Sequence, residues 1–396
     1  MSIPSSPNSA VSPSGKAPPH EPGGMTYLDY QATTPVAPEV AEAMRPWAED
    51  WFANPHSPSR WGREADAAID NARREVEDMV RLGGGSLAFT GSATEAINWA
   101  LKGSVEKAPP GRNRIITLAT EHAALLDSCE WLSGRGIDVT VLPVGSDGLF
   151  DVAALEEVLD ERVLLVAAMQ VNNEIGVIQR VDEIADLAHA AGARMLCDAV
   201  QGFGRIDLPE GPDLVAISAH KIHGPKGIGA LWMREGAEPA PFIHGGGQER
   251  GMRSGTLSPA LCVGFGAAAS LARERSTLDF DHVQNLWHLA RTALGPGWTI
   301  NGSAEWRYHG NLNIRREGID AARLLADLRG IAFSLGSACA SGSGRPSHVL
   351  KAIGLDYRAA RSSLRLGFGR YTEGEELVAA CKQIDDAADA QENVCA

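Results

Sequence analysis

The stretch "VLLVAAMQV", residues 163–171, decides the fold. It is apolar except for Gln170, too short for a buried helix and too continuous for a strand with one wet face, so it reads as a strand covered on both sides. A polar turn follows. Then "VDEIADLAHAAGA" (181–193) has the apolar spacing of an amphipathic helix, and "RMLCDAV" (194–200) is a second apolar run. Strand, helix and strand in that order form a parallel crossover unit. The same alternation extends in both directions, over about residues 60 to 235. "SLAFTG" (86–91) precedes "ATEAINWALKG" (93–103), "RIITLAT" (114–120) precedes "AALLDSCEWLSGRG" (123–136), and "DLVAIS" (213–218) follows. The expected class is α/β with a mostly parallel sheet.

After the glycine-rich "HGGGQERGMRSGTLSPA" (244–260), helical patterns at 260–275 and 281–294 lead to strand-like "NLNIRR" and "IAFSLGSAC". We expect a large α/β domain over 37–276 and a smaller α+β domain built from 25–36 and 277–396. Residues 1–24, rich in Ser, Pro and Gly, read as a disordered tail.

The net charge of −14 disfavours nucleic acid or an anionic membrane surface as a partner. Neither a membrane-length apolar run nor a signal-peptide layout is present, so a cytoplasmic protein is expected. Six cysteines (129, 197, 262, 339, 381 and 395) show no C-x-x-C pair, which suits free thiols in a reducing compartment better than disulfides or a metal site.

In sheets of this kind ligands bind at the carboxyl ends of the strands. The polar residues just beyond the apolar runs are Thr94, His122, Asn173, Asp198 with Gln201, and Ser218-Ala219-His220-Lys221. A lysine held at a strand end loses hydration, which lowers its pKa and suits it to Schiff-base chemistry. Lys226, in a Pro-Lys-Gly turn, is the rival. Asp198 ends a buried run and needs a cation, either an arginine or a pyridinium nitrogen. "TGSATEAINWA" places hydroxyls and free N–H groups at a helix start, which serves a phosphate or simply a helix cap. His122 is placed to stack on a flat ring. Together these residues describe a site for pyridoxal phosphate.

A further thiol stands apart. In "SLGSACASGSGRPSHVL" (334–350), Cys339 lies among small residues that follow neither periodicity and cannot enclose it in apolar packing, which leaves it available to react.

With these motifs in place, the chain resembles the cysteine desulfurases of the nitrogen-fixation and iron–sulfur-cluster type, enzymes of the aspartate-aminotransferase fold. The resemblance rests on "YLDYQATTPVAPEV", "FTGSATEAINWALKG", "TEHAALLDSC", "VNNEIGVIQ", "DAVQGFGRI", "SAHKIHGPKGIGAL", "GGGQERGMRSGTL" and "GSACASGSGRPSHVL". It implies that Lys221 anchors pyridoxal phosphate, His122 stacks on its ring and Asp198 pairs with the ring nitrogen. Gln201 and Asn173, in preference to Asn172, would face the ring hydroxyl. Ala93, Thr94, Ser218 and His220 would hold the phosphate, joined by Thr256 from the partner in a homodimer. Arg365, assisted by Asn54, would bind the substrate carboxylate, and Cys339 would accept sulfur from L-cysteine and pass it to an acceptor protein. Selenocysteine lyase, aminotransferase and a non-catalytic partner that kept the fold are the competing expectations. Two departures from the family pattern stand out: "GSAT" (91–94) replaces Ser-Gly-Ala-Thr, and Arg345 stands where many members have Glu.

Overall fold

The computed structural model describes residues 24–335 and 347–395, so Cys339 and Arg345 lie outside it. Its centre is a seven-stranded sheet in the order Gly85–Thr90, Gly229–Arg234, Leu214–Ser218, Arg194–Asp198, Val163–Met169, Arg114–Leu118, Asp138–Leu142. Six strands run one way, and only Gly229–Arg234 runs against its neighbours. The α/β class with a mostly parallel sheet is thus what the chain adopts.

Side chains along each strand alternate between two apolar layers. Phe89, Val166 and Val215 join one core, while Ala88, Leu165 and Ala216 join another on the opposite face. Burial on both faces is why the strands are continuous apolar runs.

Two strands are additional to the five expected. Asp138–Leu142 lies at the sheet edge with mostly half-exposed residues, so its sequence lacks the apolar run. Gly229–Arg234 opens on a glycine and mixes Trp and Met with Ala and Leu.

A further apolar core contains Leu28 together with residues between Leu286 and Ala388. It packs on the antiparallel strands Asn311–Arg315 and Ser363–Gly367, and the N-terminal strand Thr26–Tyr27 pairs with Ile331–Ala332. The two helical patterns at 260–275 and 281–294 prove to be one helix, Pro259–Ala293. Ser258 caps it and Pro259 occupies its first turn, where a missing N–H costs nothing. At 1.5 Å per residue it is about 50 Å long. Its first half buries Phe265 and Ala268 in the sheet core, and its second half buries Leu286 and Ala290 in the other. No helix among the described residues is long and apolar enough to cross a membrane.

Candidate active site

Strand register sets the site. Met169 pairs with Asp198, and Asp198 with Ala216, so neighbouring strands finish along one edge. That edge opens on a cleft of about 260 Å³. Ala93 and Thr94 line it from the first turn of the helix Ala93–Glu106. Ser92 fixes where this helix begins: its Oγ accepts from the Glu95 N–H at 3.2 Å, and the Glu95 carboxylate reaches back to the Gly91 N–H at 2.8 Å. The remaining N–H groups and the helix dipole favour an anion there.

Gly229 lets the sheet approach this helix start. A Cβ at that position would lie 2.7 Å from the Ala93 nitrogen, the Ser92 carbonyl carbon and the Ile217 oxygen, all backbone atoms that cannot rotate away. Gly229→Ala is expected to cost about 1–3 kcal/mol in thermal unfolding and, by shifting the helix start, to weaken retention of a bound phosphate ester through dialysis.

Lys221 ends the short turn that follows the strand Leu214–Ser218. Its Nζ donates to the carbonyls of Gln31 at 2.5 Å and Ala32 at 2.7 Å, and among the described residues no carboxylate is in ion-pair contact with it. Burial, with Arg205 and Arg365 nearby, pulls its pKa down to about 7. Half of such amines are neutral and nucleophilic near pH 7. His220, half-buried beside Lys221, falls to about 3 through desolvation and so serves as a neutral group; its Nδ1 lies 3.1 Å from Thr33 Oγ1.

Asp198 is buried, and its Oδ1 accepts from the Val200 N–H at 3.0 Å. Burial raises its pKa, while His122, Val200 and Lys221 oppose the rise. Among the described residues no cation is in ion-pair contact with it. His122 caps the helix Ala123–Ser133, its Nδ1 accepting from the Ala124 N–H at 3.1 Å. That bond places the neutral ring's proton on Nε2.

Arg365, only 1% exposed, donates from Nη2 to Asp29 at 2.6 Å and from Nη1 to the Asn173 carbonyl at 2.8 Å. Among the described residues its Nε has no hydrogen-bond partner. Asn173 lines the cleft, whereas Asn172 is spent inside the fold, donating to the Thr120 carbonyl at 2.8 Å and accepting from the Glu174 and Ile175 N–H groups at 2.9 Å. Gln201 and Ser218 also line it. Both ends of the Gln201 amide are already bonded, to the Gln31 carbonyl at 2.9 Å and to Arg205 at 2.5 Å.

Three residues lie elsewhere. Lys226 is exposed and does not line the cleft. Asn54, expected to assist Arg365, is exposed in the turn between two helices, where its Oδ1 accepts from the His56 N–H at 2.9 Å. Thr256 is exposed as well, so neither residue reaches the cleft of its own chain. Conversely, Asp29 and the Gln31 and Ala32 carbonyls are part of the site and were not singled out from sequence. The only signal available was their position in "YLDYQATTP", just after a two-residue strand.

Residues 26–379 match the aminotransferase class-V family. The cysteine desulfurase IscS of Rickettsia bellii is 41% identical over 367 residues, covering 90% of each chain. The chain belongs to the cysteine desulfurases of the class-V aminotransferases. A solved NifS-like protein is 33% identical with a TM-score of 0.86, covering 92% of this chain and 100% of the other. SspA, solved in complex with cysteine, is 33% identical with a TM-score of 0.78, covering 88% and 100%.

This desulfurase is a pyridoxal-phosphate enzyme, and its cleft fits that cofactor. The carboxylate of Asp198, buried and with no cation in ion-pair contact among the described residues, suits a pyridinium N–H. The helix start at Ala93 suits the phosphate, and Lys221 supplies an amine that can be neutral at pH 7. A measurable consequence follows from the lowered lysine. Below about pH 7 the rate at which apoenzyme recombines with pyridoxal phosphate is expected to rise about tenfold per pH unit, then level off. A rise continuing towards pH 10 would mean an ordinary lysine.

Proposed function

We propose that this desulfurase converts L-cysteine to L-alanine and leaves the sulfur as a persulfide on Cys339. The thiol takes the substrate sulfur and its proton returns to the product carbon, so the two reactants, cysteine and thiol, become alanine and persulfide with no outside oxidant. The observation that carries the reading is the meeting of a lysine of pKa about 7, a cation-free Asp198 and a buried Arg365 around one cleft.

When bound, pyridoxal phosphate supplies a sink for the electron pair released at the substrate Cα. The chain does the rest. Arg365, through the unpartnered Nε, binds the substrate carboxylate. Lys221 moves the Cα proton, and Asp198 keeps a proton on the ring nitrogen. His122 presents its ring to the cofactor face, and the helix start at Ala93 and Thr94, with Ser218 and His220, holds the phosphate.

Cys339 lies outside the described residues, but the chain on both sides of it is tied to the site. Ser334 pairs with the Arg365 backbone through bonds of 3.1 and 2.7 Å. Beyond the loop, the Ser347 hydroxyl donates to the buried Glu174 carboxylate, and His348 Nε2 lies 2.9 Å from the Glu121 carbonyl oxygen.

The active assembly we propose is a homodimer, with Thr256 and Asn54 serving the partner's cleft. Supporting it, Trp51, Phe52 and Trp61 are 40%, 81% and 57% exposed around Asn54, an aromatic cluster suited to cover by a second copy. A sedimentation mass of one chain for the holoenzyme would contradict this. The persulfide is passed to an acceptor protein, either an iron–sulfur scaffold or a sulfur carrier, in the cytoplasm. The activity is tested by incubating holoenzyme with L-cysteine and a thiol reductant, which should give L-alanine and sulfide in equal amounts without any 2-oxoacid. Faster turnover of selenocysteine than of cysteine would assign it to the lyases instead.

A further inference from the structure

A second cavity, of about 460 Å³, shares a single lining residue with the cofactor cleft, Lys221. Its charges do not balance. Arg205, Arg307 and Arg370 line it. Arg205 spends its donors on uncharged oxygens, the Lys221 carbonyl at 2.8 Å, the Tyr30 carbonyl at 3.3 Å and Gln201 Oε1 at 2.5 Å. Arg307 does likewise with the carbonyls of Ser303, Asn311 and Asn301. Neither arginine has a carboxylate in ion-pair contact among the described residues. Burial accordingly lowers the pKa of both, Arg307 to about 9.

The nearby acid is already used. Asp279 accepts from Arg370 at 2.7 Å and also from Arg275 at 3.2 Å. Asp207, the other acid lining the cavity, is exposed at its rim. The phenols of Tyr308 and Tyr371 are raised by burial and stay neutral. The Arg370 side chain is 4% exposed, yet among the described residues its Nη1 has no hydrogen-bond partner. A buried guanidinium N–H left without an acceptor is costly, and buried cations without counter-charge are costlier still. Both costs fall if an anion enters. Much of the remaining wall is apolar, formed by Ile178, Ile206, Ile222, Val283 and Phe368, with Phe280 at the opening, while Thr34, His223, Ser276, Thr277, Gln284 and His309 add uncharged polar groups.

We propose that this cavity binds a small organic carboxylate, its charged end on Arg370 and its apolar body against Ile178, Ile206 and Ile222. Arg205 links the occupant to the reaction centre, because the same guanidinium holds the Lys221 carbonyl and the Gln201 amide.

Benzoate is a suitable probe, titrated calorimetrically into the holoenzyme with saturating L-alanine present to occupy Arg365. One benzoate per chain is expected. Arg370→Lys keeps a cation for Asp279 but removes the third donor, and should weaken binding about tenfold. Phe280, 53% exposed, can be changed without disturbing the core; Phe280→Glu puts a negative charge at the opening and should also weaken binding severalfold at unchanged melting temperature. It carries the test if Arg370→Lys does not fold. Absence of binding, loss of binding when L-alanine is added, or wild-type affinity in the folded variants would overturn the proposal.

Discussion

Lys221→Ala is expected to yield a folded, colourless protein that neither keeps pyridoxal phosphate through dialysis nor releases alanine, with turnover down at least about a thousandfold. The size of the effect follows from the position of the side chain. Among the described residues Lys221 is the one lysine lining the cleft and its Nζ is held only by carbonyls, and burial has already removed its preference for the proton. No neighbour can substitute, because Lys226 is exposed and outside the cleft. Stability should suffer little, since removing a partly desolvated amine relieves the fold of a costly buried group and leaves two carbonyls for water to satisfy. A borohydride-reducible adduct surviving in Lys221→Ala would move the anchor to Lys226.

Cys339→Ala should separate the two halves of the reaction. The variant is expected to bind pyridoxal phosphate normally and to show cofactor spectral changes with L-cysteine, because Lys221, Asp198 and Arg365 are intact, but to form no persulfide and release alanine at least about a thousandfold more slowly. Absorbance after mixing reads the first half and alanine release reads the second. If the variant desulfurates at the wild-type rate, sulfur leaves by another route and the thiol has no part in it.

Much of the fold and of the cleft is legible in the sequence itself. The strand ends announced themselves because a sheet buried on both faces needs continuous apolar runs, so the first polar residue after each run marks the edge where ligands bind. Asp198, His122 and Lys221 follow such runs, and all three line the cleft. What stayed hidden depends on distance along the chain or on exposure. Asp29 and Arg365 pair at 2.6 Å across 336 residues, and no local pattern links them. The edge strand Asp138–Leu142 lacked an apolar run because one side of it is partly wet. The helix Pro259–Ala293 read as two because its buried face passes from one core to another, and the exposed Ser276, Thr277 and Leu278 between them break the apolar period. Asn54 and Thr256 carried the right motifs but sit on the surface of their own chain, which is why a second copy is part of the proposal.

The most direct test uses L-cysteine carrying heavy sulfur. Holoenzyme is given one equivalent, quenched with an alkylating agent and digested, and the peptides containing cysteine are weighed. One heavy sulfur atom is expected on the Cys339 peptide, with an equal amount of L-alanine in solution and no label on the peptides of the buried Cys129, Cys197, Cys262 and Cys381. Alanine released with no label on Cys339, or label on another cysteine at the same yield, would contradict it.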